Sequence, residues 1–226
     1  MMVGESSVHL ISVAGACSRS GKTALAVTLL RALPSGAAAV KFTTTDEVFE
    51  RCPRGTPCVV CDIAVPYRIV DDPGILAEPG TDTARLGEAG ARRVVWAIAK
   101  QNAAPAAWEA VRTRLSGEGA VVMEGSTIVD LSSPDLCFFV VHPFLAPERW
   151  KPTSEALLER ADVVIVNLPQ GERRRPSPAV LAEMARLRGR DDAREADVTR
   201  PLADWAPDLA ERLRRFAPAA PRPMTA

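Results

Sequence analysis

Ala16-Cys17-Ser18-Arg19-Ser20-Gly21-Lys22-Thr23 is the stretch of this 226-residue chain where residue type and spacing together imply chemistry. It follows an apolar run over 9–14 and precedes an apolar helix pattern reaching Leu33. That order predicts a strand, a phosphate-binding loop and a helix, with Walker A spacing and Ala16 standing where glycine is usual. Each position has its own reason. Backbone N–H groups from Ala16 to Gly21 must curl around a phosphate, so the side chains there are small or point outward. Gly21 permits that path, and the following helix adds the positive end of its dipole. Lys22 is the group that reaches the β- and γ-phosphates of a nucleoside triphosphate, and the Thr23 hydroxyl is the expected Mg²⁺ ligand. The ligands this pattern implies are Mg²⁺ and GTP or ATP.

Such a loop needs an acid from a neighbouring strand to organise the magnesium. Glu124 closes the apolar run AVVM and is followed by Gly125, which makes it the expected partner of Thr23, directly or through a water, and with Lys22 the expected catalytic pair. Asp62 is the rival acid, and Asp46 and Asp82 lie in segments expected near the phosphates. Asn167 ends the run VVIVN, either at a base-binding edge or as a turn residue before Leu168-Pro169. Cys52-x5-Cys58-x2-Cys61 has three readings: zinc with a fourth ligand from elsewhere, an iron–sulfur cluster with one open iron, or small buried hydrophobes. Cys17 sits where a helix N-terminus is expected to lower a thiol pKa, and Cys137 reads as core.

The elements that position these residues follow from the apolar pattern. Strands are expected over 37–42, 92–99, 119–126, 136–143 and 161–169, with helices over 22–33, 81–90, 104–115, 151–160, 177–188 and 203–216. Strands alternating with helices predict an α/β fold, a three-layer P-loop NTPase domain with a mainly parallel sheet. Residues 46–80 break the periodicity and read as an irregular insertion, with one short strand near 58–61. The expected organisation is a nucleotide-binding domain over 1–170 and a helical extension over 171–226 packed on it. Trp205, Leu209 and Leu213 would pack on that domain or across a homodimer.

Lys+Arg 28 balances Asp+Glu 28, which gives no electrostatic reason to expect nucleic acid or an acidic membrane as partner. No apolar run approaches transmembrane length, so a cytoplasmic location is the expectation.

Ala16–Thr23, VKFTTTD at 40–46, GTDTARLGEAGARRVV at 80–95 and AVVMEG at 120–125 together resemble the nucleotide-binding protein of molybdopterin-guanine dinucleotide biosynthesis, the MobB type. The resemblance spans roughly residues 8–126, and GTDTARLGEAGA is its most discriminating part. It implies that Gly21, Lys22 and Thr23 bind GTP or ATP with magnesium while Lys41, Asp82 and Glu124 line the same site. The function it implies is nucleotide hydrolysis or phosphoryl transfer in cofactor biosynthesis. The alternative is a nucleotide-dependent accessory protein that presents Cys52, Cys58 and Cys61 to a metallocentre or cofactor-biosynthesis partner.

Overall fold

Apolar runs with no polar alternation suit strands that are buried on both faces, and in an open sheet those are the parallel ones. The computed structural model, which describes residues 8–34, 36–45, 65–190 and 192–216, bears this out. Among the described residues eight strands form one sheet: β1 (His9–Gly15), β2 (Ala38–Thr44), β3 (Tyr67–Val70), β4 (Arg93–Ala99), β5 (Ala120–Glu124), β6 (Leu136–Val141), β7 (Val163–Asn167) and β8 (Arg194–Ala196). Their order is β3-β4-β2-β5-β1-β6-β7-β8. Every neighbouring pair is parallel except β3 with β4, which is antiparallel.

Among the described residues, helices cover both faces. They are α1 (Lys22–Ala32), α2 (Pro73–Leu76), α3 (Asp82–Glu88), α4 (Ala104–Arg114), α5 (Ile128–Ser132), α6 (Ser154–Arg160), α7 (Pro178–Arg188), α8 (Leu202–Trp205) and α9 (Pro207–Arg214). On one face Ile11, Val13, Val122 and Phe138 of the sheet meet Leu25 and Leu29 of α1, Leu86 of α3, and Leu209 and Leu213 of α9. On the other, Val121 and Met123 meet Trp108 and Val111 of α4, and Phe139 and Val164 meet Leu157 of α6 and Val180 of α7. The chain is therefore an α/β protein with a mostly parallel sheet between helical layers.

Local chemistry explains the boundaries. Pro34 favours an extended residue before it, and Leu33 ends α1 at φ −76° and ψ 153°. The Thr81 hydroxyl accepts from the Ala84 N–H at 3.2 Å and starts α3. Gly189 closes α7 at a positive φ of 63°.

Three expectations need correction. From residue 65 onward the supposed irregular insertion contains β3 and α2, whose single turn is capped by Asp72. A four-residue edge strand carries too short an apolar run to stand out from the Pro and Asp around it. The charged stretch after α7 contains β8, an edge strand of only three residues. Finally, the tail helix expected over 203–216 is two helices. Pro207 has no N–H to donate and disfavours helical geometry at Ala206, which adopts φ −147° and ψ 66°. Leu209 and Leu213 are buried within the chain's own core, with Trp205 packed beside them. The expected strand near 58–61 lies outside the described residues. No helix among those described is long and apolar enough to cross a membrane.

Phe138 on central β6 is fully buried. Phe138→Ala should lower unfolding stability by about 3–5 kcal/mol, measured by denaturant titration, because it leaves a cavity against α1 and α9.

Candidate functional site

In an open parallel sheet the loops after the strands gather at one edge, where side chains from several strands can meet. Here that edge collects the 16–23 loop after β1, Lys41 in β2, Glu124 at the end of β5 and Asn167 at the end of β7. Register makes the arrangement specific. Glu124 lies directly beside Lys41 on one neighbouring strand and beside Val13 on the other. A shift of one residue in β2 would turn the Lys41 side chain to the opposite face.

Lys41 Nζ donates to Glu124 Oε1 at 2.6 Å and to Asp82 Oδ2 at 2.7 Å. Burial opposes its charge, but the two carboxylates outweigh burial and raise its pKa. Asp82 is held below the usual carboxylate range. Burial works against that, while the Lys41 charge and hydrogen bonds from Lys41 and Thr23 prevail. Asp82 is also the first residue of α3, where a negative charge suits the helix dipole. Gly125, at φ 156°, packs so tightly against β2 that a Cβ would stand 2.6 Å from the Phe42 carbonyl oxygen. This close approach keeps β2 and β5 in the contact that joins Lys41 to Glu124.

Glu124 is 2% exposed, and among the described residues its Oε2 has no hydrogen-bond partner. A buried carboxylate oxygen left in this way costs about 1–3 kcal/mol. It is a ready ligand for a hard cation, directly or through water, with the Thr23 hydroxyl close by at Asp82. Among the described residues no group of three or more His, Cys, Asp and Glu side chains gathers in a metal-binding cluster. A magnesium ion shared with phosphates does not need one, since one or two protein oxygens suffice.

In the 16–23 loop the left-handed positions are Arg19, at φ 60°, and Gly21, at φ 108°. Ala16 is not among them, so its methyl costs no backbone strain and packs in the core beside Ala14 and Val129. A side chain at Gly21 would meet the Asn167 amide 2.3 Å away. Helix α1 begins with no side-chain cap, so its first N–H groups point toward the loop. Lys22 Nζ donates to the Cys17 carbonyl at 2.7 Å. Burial is the main cause that brings its pKa down to about 8, with the like charge of Lys151 next, while Glu124 partly offsets the shift.

Asn167 reaches the edge, but its side chain supports the loop. Its Nδ2 donates to the Ser20 carbonyl at 3.0 Å, and its Oδ1 accepts from the Val198 N–H at 3.5 Å. The Cys17 thiol also departs from expectation. Burial pushes its pKa up, against the opposing charges of Lys22, Lys151 and Arg149. Ser18 is exposed and Ser20 is buried, its hydroxyl unpartnered among the described residues. Cys52, Cys58, Cys61, Asp46 and Asp62 lie outside the described residues, whereas Cys137 is buried in the core as expected.

Sequence reasoning missed Lys151 and Ser154. The Lys151 N–H donates to the Ala16 carbonyl at 2.8 Å, and the Ser154 hydroxyl donates to the same oxygen at 3.3 Å. A signal was present: a lysine just ahead of a helix start, where the dipole favours an acid.

In comparisons with known proteins, no family model and no curated protein matches the chain.

Lys22 gives a pH prediction with a definite sign. Its folded pKa near 8 lies below the ordinary 10.5, so the unfolded chain binds more protons between those values. Stability should therefore rise with pH from about 8 toward 10.5. Denaturant titrations at pH 7.5, 9 and 10 should show wild type gaining on Lys22→Met, which has no such group.

Proposed function

We propose that the 16–23 loop is a P-loop and that the protein is a magnesium-dependent enzyme acting on GTP or ATP. It hydrolyses the nucleotide or transfers its terminal phosphoryl group to a small, cofactor-like acceptor, in a cofactor-building pathway such as molybdopterin-guanine dinucleotide synthesis. The observation that carries this reading is the buried Glu124 carboxylate, paired on one oxygen with Lys41 and open on the other, beside Lys22 and the uncapped start of α1. A phosphate-binding cradle and a hard-cation ligand at one sheet edge are what a triphosphate with magnesium requires.

Each residue has a task in this reading. The loop N–H groups and the start of α1 hold phosphate oxygens. Lys22 exchanges its bond to the Cys17 carbonyl for one to a phosphate and stabilises charge that builds on the transferred group. Thr23 and Glu124 would hold magnesium, which when bound supplies charge neutralisation between the phosphates. Lys41, clamped by Asp82 and Glu124, keeps the Glu124 oxygen aimed and the local charge balanced. Asn167 braces the loop at Ser20 and so preorganises the cradle.

Calorimetric titration with GTP and ATP in the presence of magnesium tests the reading. One of them should bind wild type with micromolar affinity or better, and Lys22→Ala should weaken binding by about tenfold or more through loss of a charge-assisted phosphate contact. Failure of both nucleotides to bind the folded wild type would overturn it.

A further inference from the structure

Lys41 has two carboxylate partners, whereas among the described residues neither Lys22 nor Lys151 forms an ion pair. Lys151 is close enough to Lys22, Lys41, Glu124 and Cys17 for its charge to act on each of them. Glu124 acts on both lysines but is itself bonded to Lys41, so a further anion between Lys22 and Lys151 would relieve their mutual repulsion. Lys151 is exposed, and partial desolvation is the main cause that lowers its pKa, with the Cys17 and Glu124 charges opposing and the like charge of Lys41 adding to it.

The backbone is built to deliver this lysine. The Lys151 N–H is fixed to the Ala16 carbonyl, and the Lys151 carbonyl accepts from the Ser154 N–H at 2.9 Å. The preceding turn is held by the Trp150 indole donating to the Leu145 carbonyl at 3.2 Å and by the Trp150 N–H donating to Pro147. Ser154 is almost fully buried and adds its hydroxyl to the Ala16 carbonyl. An otherwise solvent-facing connection is thus tied to the first residue of the loop at Lys151 and again at Ser154.

We propose that Lys151 is a second cationic anchor beside Lys22 for the terminal phosphoryl group, so that the site distinguishes a nucleoside triphosphate from a diphosphate. This inference rests on the P-loop reading above. Lys22, rooted in α1, can serve the phosphates of either nucleotide. Lys151, brought in by the connection between β6 and α6, supplies the charge that only the extra phosphoryl group uses. Arg149, two residues earlier and also felt at Cys17, adds to the positive field at the same mouth.

The test compares binding of a non-hydrolysable triphosphate analogue with that of the matching diphosphate, both with magnesium. The proteins are wild type, Lys151→Gln, Lys151→Arg and Lys22→Ala, each checked for native circular dichroism. Lys151→Gln should weaken triphosphate binding about tenfold or more, as expected for losing a charged contact, and change diphosphate binding far less. Lys151→Arg should restore most of the preference, since the charge is kept. An unchanged preference in Lys151→Gln, or an equal loss for both nucleotides, would overturn the proposal while leaving the P-loop reading intact if Lys22→Ala loses binding. Absence of binding by wild type would overturn both.

Discussion

The contact on which the rest depends is the one between Lys41 and Glu124 across the β2–β5 ladder. A charged pair this deeply enclosed gains little net stability over an apolar pair, because desolvating both groups offsets most of their attraction. Removing Lys41 is different, at roughly 3–5 kcal/mol, since Glu124 is then a buried, uncompensated charge, whereas removing Glu124 leaves Lys41 paired with Asp82. The neighbourhood is shaped to keep the pair. Gly125 lets β5 lie against Phe42, the parallel register sets the two residues side by side, and the Thr81 cap fixes α3 so that Asp82 supplies the second carboxylate. The pair is best understood as a device that holds Glu124 oriented with one oxygen unspent.

Around that device the charge balance is uneven, although the whole chain is neutral. Asp82 and Glu124 face three lysines, Lys41, Lys22 and Lys151, which leaves the cluster with one positive charge in surplus. Such surplus is costly in the free protein and is relieved by an anion. The loop limits its own strain by confining left-handed geometry to Arg19 and Gly21, which lets Ala16 carry a methyl where the Walker pattern has glycine.

Much of this was legible in the sequence. The 16–23 spacing, the acid closing AVVM and the Thr81-Asp82 start of a helix are local signals, and the parallel sheet brings Lys22, Asp82 and Glu124 to one edge together with Lys41, which only the family resemblance points to. What was not legible depends on tertiary contacts. β8 is an edge strand of three residues, two of them charged, and pairing with β7 makes it a strand where its apolar pattern does not. Asn167 reads either as a base-facing residue or as a turn residue, and only the Ser20 carbonyl within its reach shows it bracing the loop. The Cys17 thiol sits near a helix N-terminus, which argues for a low pKa, yet burial prevails and raises it. Lys151 lies 129 positions from Lys22 in the chain, and only the hydrogen bond to Ala16 reveals the two as neighbours.

The central claim is that the open oxygen of Glu124 and the 16–23 loop together hold a divalent cation with a nucleoside triphosphate. Electron paramagnetic resonance of Mn²⁺, used in place of Mg²⁺, tests it most directly. In wild type the free Mn²⁺ signal should fall when GTP or ATP is added beyond what the nucleotide alone sequesters, and in Glu124→Gln this additional loss should shrink markedly. If saturating nucleotide leaves protein-bound Mn²⁺ undetectable, or if Glu124→Gln binds it as wild type does, the account of this site is contradicted.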